Sequence, residues 1–186
     1  GTFLEECQSR GAKVLGVDPC PAADGIPMLA ELWSSQLVPG IIQAVTGVLA
    51  GHNASVLGGV AHTHSDGTAI QVWHVSDALG VGIDDRRWGR ILAAVPAAID
   101  GTFDIEERLA EVRRSYPARP LADVPTVVNV NNTASREFTV LEISAADRRG
   151  LLYGITKALH EQRIDIHLAK VDTIGPEVVD AFYIRR

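Results

Sequence analysis

The sequence predicts an α+β chain made of two copies of one unit, each an antiparallel sheet with helices on one face. Three observations predict it: a self-match at a shift of 110 residues, a one-sided helix after a glycine turn in each half, and a hairpin behind each helix. At that shift Pro39-Gly40-Ile41-Ile42-Gln43-Ala44-Val45-Thr46-Gly47-Val48-Leu49 falls on Arg149-Gly150-Leu151-Leu152-Tyr153-Gly154-Ile155-Thr156-Lys157-Ala158-Leu159. Gly40/Gly150, Thr46/Thr156 and Leu49/Leu159 are identical, and the match runs on through Val56/Ile166 and Thr63/Thr173. It then slips by one residue and resumes at Gln71/Asp180, Trp73/Phe182, His74/Tyr183 and Val75/Ile184. A hairpin turn is where such a slip is tolerated.

Each copy opens with a β-prone run, residues 28–36 and 137–145, the second strengthened by Phe138, Val140, Leu141 and Ile143. The helices carry apolar residues at 41, 42, 45, 48 and 49, and at 151, 152, 155, 158 and 159, a stripe at the 3.6 period. Gly51-His52-Asn53 stops the first helix. Strands 54–64 and 68–76 join through Ser65-Asp66-Gly67, and strands 164–173 and 178–184 through Ile174-Gly175-Pro176. A helix follows over 84–99, interrupted by Pro96. Another starts at Asp104 as N-cap with Glu107 as capping-box partner. Pro117, Pro120 and Pro125 break the chain before a β-branched run from Thr126 to Val130.

The first copy thus reads strand-helix-strand-strand-helix-strand, the ferredoxin-like βαββαβ arrangement. The second, ending at Arg186, stops after its third strand and reads as truncated. The predicted organisation is a linker or tail over residues 1–25, a first unit over 26–131 with an extra helix at about 104–115, and an incomplete second unit over 132–186.

Composition narrows the function classes. Of 186 residues, 46% are apolar and 22% charged, which is ordinary for a folded domain and excludes wholesale disorder. Seventeen basic against twenty-three acidic side chains give a net charge of −6, which repels phosphate backbones and anionic membranes. Cys7 and Cys20 form neither a disulfide framework nor a zinc motif. No apolar run reaches the roughly 18 residues of a membrane span, and Glu5 and Glu6 stand where a signal peptide needs basic residues. The expected location is the cytoplasm, with the two N-x-S/T matches at Asn53 and Asn131 accidental.

A strand followed by Asp147-Arg148-Arg149-Gly150-Leu151-Leu152 opening an amphipathic helix resembles the signature of ACT domains, small amino-acid-sensing modules. Arg149 stands where that family usually has Pro, and Leu37 holds the aspartate position before Pro39-Gly40-Ile41-Ile42 in the first copy. Asn132-Thr133-Ala134-Ser135, Thr139-Val140-Leu141-Glu142-Ile143-Ser144, Val171-Asp172-Thr173-Ile174-Gly175 and Val179-Asp180-Ala181-Phe182-Tyr183-Ile184 resemble the C-terminal tandem ACT region of the PII uridylyltransferase/uridylyl-removing family. The resemblance covers about residues 26–186. It implies a parent enzyme, using Mg2+, that attaches and removes uridylyl groups on the PII protein, with a glutamine-sensing ACT pair. The chain shows neither a Gly-Ser motif with paired aspartates nor a His-Asp metal cluster, so the expected role is binding and regulation without catalytic residues or cofactor of its own.

The resemblance nominates Asp147, Arg148, Gly150 and Leu151 as ligand-binding, with Pro39, Gly40 and Ile41 as their first-copy counterparts. The chemistry suits a free amino acid. Unpaired amides at a helix start hold a carboxylate, glycine lets the ligand approach the backbone, and Asp147 takes the ammonium. Asp147 equally suits a plain helix N-cap. Arg149 either helps hold a carboxylate or blocks the pocket.

Other residues carry blander readings. His62 and His64 share a strand face and His74 lies across the hairpin, with Asp66 as the sole acidic candidate for a metal set; half-exposed strand positions are favoured and no metal is assigned. Trp33, Trp73 and Trp88 read as core or interface, and Asp84-Asp85-Arg86-Arg87 as a solvent-side helix start. Expected partners are an amino acid, upstream catalytic domains, PII through the parent, and a second copy of the chain. Nucleic acid and membrane are not expected. Two rivals stand: a stand-alone tandem ACT sensor, and a dimerisation or docking module without ligand. An RNA-recognition domain lacks the aromatic strand pattern.

Overall fold

The computed structural model describes residues 40–63, 69–80, 82–116 and 122–185, together with strand backbones at β1 (Ala12–Gly16), β2 (Cys20–Pro21), β3 (Pro27–Leu29) and β4 (Glu31–Ser34). The other elements are α1 (Ile41–Gly51), β5 (Ala54–Thr63), β6 (Ala69–Asp77), α2 (Asp85–Ile99), α3 (Ile105–Ser115), β7 (Val127–Asn131), β8 (Thr139–Ala146), α4 (Leu151–Glu161), β9 (Asp165–Ile174) and β10 (Glu177–Arg185). The predicted α+β class is observed. The turn Ser65-Asp66-Gly67 and both cysteine side chains lie outside the described residues.

The strands form one antiparallel sheet in the order β1-β4-β6-β5-β9-β10-β8-β7, with β2 and β3 beside this path. That order is a palindrome of the two copies, joined where their equivalent strands β5 and β9 pair. Val60 faces Lys170, its own counterpart 110 positions on, so a pseudo-twofold axis passes through that pair. Gly58↔Asp172 and His62↔Leu168 exchange under the same operation. The register break that skips Leu57 against β6 recurs at His167 against β10. Above the sheet the axis passes between α1 and α4, where Thr46 Oγ1 and Thr156 Oγ1 lie 3.2 Å apart. Each hydroxyl also reaches its own helix, Ile42 O at 2.8 Å and Leu152 O at 2.9 Å. The repeat read from residue identities is thus a repeat of geometry.

The core lies between sheet and helices. Trp73, Val75, Ala169 and Phe182 from the strands meet Val48, Leu49 and Ile91 from α1 and α2. Trp73 and Trp88 are both buried, as core residues; the Trp33 side chain lies outside the described residues. Leu109 of α3 is buried with Ile105, Ala50 and Tyr153, tying α3 to both repeat helices. Gly47 makes that approach possible: a Cβ there would stand 2.7 Å from Ile105 and 2.9 Å from Tyr153.

Three elements differ from expectation. The run at Thr126 to Val130 forms β7, but β7 pairs with β8, not with the first copy's strands. It flanks the second copy's opening strand as β1 flanks β4 in the first. Proximity along the chain suggested the other neighbour, whereas pairing with β8 places β7 at the far edge of the sheet. Helix α2 is not interrupted by Pro96 but runs through it to Ile99. Proline removes one amide donor near the helix end, where few turns depend on it, and the Asp100 amide still reaches Pro96 O at 3.0 Å. Arg87 does not simply face solvent: its guanidinium donates to His52 O and Asn53 O, capping the end of α1, while Asp84 caps α2 through the Arg87 amide at 2.9 Å.

Candidate cleft at the second glycine corner

The β8–α4 turn is built by backbone conformation. Gly150 is the N-cap of α4 with φ 76°, and Gly40 caps α1 with φ 82°, a left-handed geometry that glycine adopts without a Cβ penalty. Neither helix receives a side-chain cap. Asp147 therefore does not act as the N-cap; its amide donates to Pro176 O at 2.8 Å, pinning the turn to the β9–β10 hairpin.

Around this corner opens a cleft of about 1000 Å³. Its wall includes Asp147, Arg148, Arg149 and Gly150 of the turn, Leu151 to Ile155 of α4, Ala54, Ser55 and Val56 of β5, Val171 and Thr173 of β9, and Val178 and Asp180 of β10. The end of α3 contributes Arg113 and Tyr116. Arg149 reaches this end: its Nη1 donates to Tyr116 O at 2.9 Å and its guanidinium stands over the Tyr116 ring, 5.8 Å from the centroid. The cation in the place of the family's proline thus ties the turn to the extra helix.

The first corner is different. Ile41 is buried in the core at 6% exposure, and neither it nor Gly40 lines the cleft. The His160 ring lies 3.0–3.2 Å from where a Gly40 Cβ would stand. Beside Gly150 the corresponding neighbours are Leu109 Cδ2 at 3.7 Å and the methyl group of Ala50 at 3.9 Å. Pro39 and Leu37 lie outside the described residues. Of the nominated residues, then, the structure brings Asp147, Arg148, Gly150 and Leu151 together and leaves Gly40 and Ile41 apart from them.

Asp180 was not nominated from the sequence. It lies on the helix-facing side of β10 with Val178 and Phe182, at 3% exposure. Its carboxyl accepts from the Asp172 amide, while burial first, and then the charges of Asp147 and Asp172, push its pKa up to about 7. The alignment with Gln71, itself buried, was the available signal. The corner therefore offers helix-start amides and arginines for a negative group, and two carboxyls for a positive one.

Among the described residues no three His, Cys, Asp or Glu side chains gather as a metal set. The His62 ring meets His167 edge-on at 5.2 Å, and His64 and Asp66 lie outside the described residues. No helix of the described residues is long and apolar enough to cross a membrane.

No protein-family profile matches the chain, and no solved structure matches it. Curated relatives do match. The bifunctional uridylyltransferase/uridylyl-removing enzyme of Gluconobacter oxydans is 34% identical over 150 residues, 79% of this chain. That of Rhodospirillum rubrum is 34% identical over 149 residues, also 79%. The chain spans only 16% of the length of either relative. The repeat, the turn motif and this identity agree: the chain is homologous to one region of the bifunctional uridylyltransferase/uridylyl-removing enzymes.

Proposed function

We propose that this region is the amino-acid-sensing, regulatory part of an enzyme of that kind, built from two ACT units and responding to glutamine. In this reading the catalytic domains lie elsewhere in the parent enzyme, and the PII protein is its partner. The observation that carries the reading is the cleft at the Gly150 corner, whose wall holds the start of α4, Arg148 and Arg149 together with the carboxyls of Asp147 and Asp180. A zwitterion needs both kinds of partner once removed from water. Regulation then requires only that the amino acid bind one domain arrangement better than another, and a coupling of about 1–3 kcal/mol suffices.

A thermal-shift screen of the 186-residue chain against the twenty amino acids, followed by calorimetry with millimolar L-glutamine, tests this. A raised melting temperature with glutamine and at least tenfold weaker binding in Asp147→Ala are the expected results. No response to any amino acid refutes the reading. The docking-module alternative has one observation of its own, the edge strand β7 with Val127, Val128 and Val130 exposed. A dimer in sedimentation that ignores all amino acids would favour it.

A further inference from the structure

We propose that Asp180 is a ligand-binding residue of the cleft: its neutral carboxyl group releases a proton to solvent, and the resulting carboxylate receives the ammonium group of the bound amino acid. The inference rests on the amino-acid-sensing reading and adds to it one residue and one linked proton.

Asp180 has no structural reason to be acidic. It sits among core residues between Val178 and Phe182 on the strand, where an apolar side chain costs nothing to bury. Its counterpart Gln71 is also buried, but there the Trp73 indole donates to the Gln71 amide oxygen at 3.1 Å. The counterpart of Trp73 is Phe182, which has no donor, so the second copy keeps the polar group and lacks that side-chain donor. Among the described residues no cation forms an ion pair with Asp180; the Asp172 amide is its protein donor. The side chain instead lines the cleft.

The charged groups around it are Asp147 of the turn and Asp172 of β9, with Arg148 and Arg149 of the turn and Arg113 of α3 on the cleft wall. With no ligand ammonium in the cleft, burial and the two neighbouring carboxylates keep the Asp180 carboxyl protonated up to about pH 7. An ammonium group placed between Asp147 and Asp180 reverses that balance. The neutral carboxyl becomes a carboxylate paired with the ammonium, and the proton passes to solvent. Binding below pH 7 is then weakened by the work of removing that proton.

Calorimetry of the chain in buffers of low and high ionisation enthalpy tests this, using L-glutamine or whichever amino acid the screen finds. Close to one proton is expected to leave per ligand at pH 6 and none at pH 8, with affinity rising about tenfold between them. The N-acetyl derivative, which has no ammonium, is expected not to bind. In Asp180→Asn, binding at pH 8 should weaken at least tenfold and lose its proton release, with the fold checked by circular dichroism. Binding by the wild type without proton release at pH 6, binding of the N-acetyl derivative, or full affinity in Asp180→Asn each overturns the assignment and leaves amino-acid sensing standing. Silence toward all twenty amino acids overturns both.

Discussion

Gly40 and Gly150 share one backbone conformation, yet alanine should be felt differently at the two. Either substitution forces a Cβ into left-handed backbone, which costs about 1–2 kcal/mol. At Gly40 the new methyl also meets the His160 ring at 3.0 Å, whereas at Gly150 the nearest atoms stand at 3.7 Å, an ordinary contact. Urea denaturation is expected to show Gly40→Ala as the more damaging by about 1 kcal/mol, and His160→Ala to remove the difference. A second expectation concerns pH. The folded state keeps the Asp180 proton to about pH 7, while the unfolded carboxyl loses it near 3.8. The folded state therefore binds more protons across that window, so stability falls as pH rises through it and levels off above, by up to about 4 kcal/mol. Comparing urea midpoints of wild type and Asp180→Asn from pH 4.5 to 7.5 isolates the effect, and parallel profiles would show an unperturbed carboxyl. At this scale the turn was legible because Asp147 to Leu152 are contiguous. Asp180 was not, since an acidic residue in a strand defaults to the solvent face, and only pairing reveals which face the helices cover.

Elements were legible wherever local chemistry defines them. Apolar stripes marked α1 and α4 within two residues of their ends, and Asp104 caps α3 through the Glu107 amide at 2.9 Å, as its spacing indicated. What escaped was association: which edge β7 joins, and where α3 lies. The second depends on Gly47, a residue without a side-chain signal. Alanine there gains about 1 kcal/mol of helix propensity. It also drives a methyl to 2.7 Å from Ile105 and 2.9 Å from Tyr153, a collision worth about 1–3 kcal/mol. The clash wins, so Gly47→Ala should destabilise the chain in urea melts, and Ile105→Ala should relieve part of the loss. A stabilised Gly47→Ala would mean that α3 does not pack as described.

For the whole molecule the repeat predicted two similar units but not how they meet, because pairing between β5 and β9 leaves no trace in the identities of either strand. The threonines on the axis measure that meeting. Each is buried and within reach of its own helix carbonyl, so Thr46→Val and Thr156→Val should each cost about 1 kcal/mol. The double variant should cost less than the sum by at least about 0.5 kcal/mol if the hydroxyls interact across the axis; strict additivity would show that the copies dock without that contact.

The shared sheet also limits how a signal leaves this region. Backbone pairing from Gly58↔Asp172 to His62↔Leu168 welds the halves into a single stiff plate with no hinge along its midline. On the proposed amino-acid-sensing reading, a guest at the Gly150 corner could not swing one half against the other without breaking that pairing, and its effect would have to pass outward, as a tilt of the whole sheet or through the Arg149 contact with Tyr116 at the end of α3.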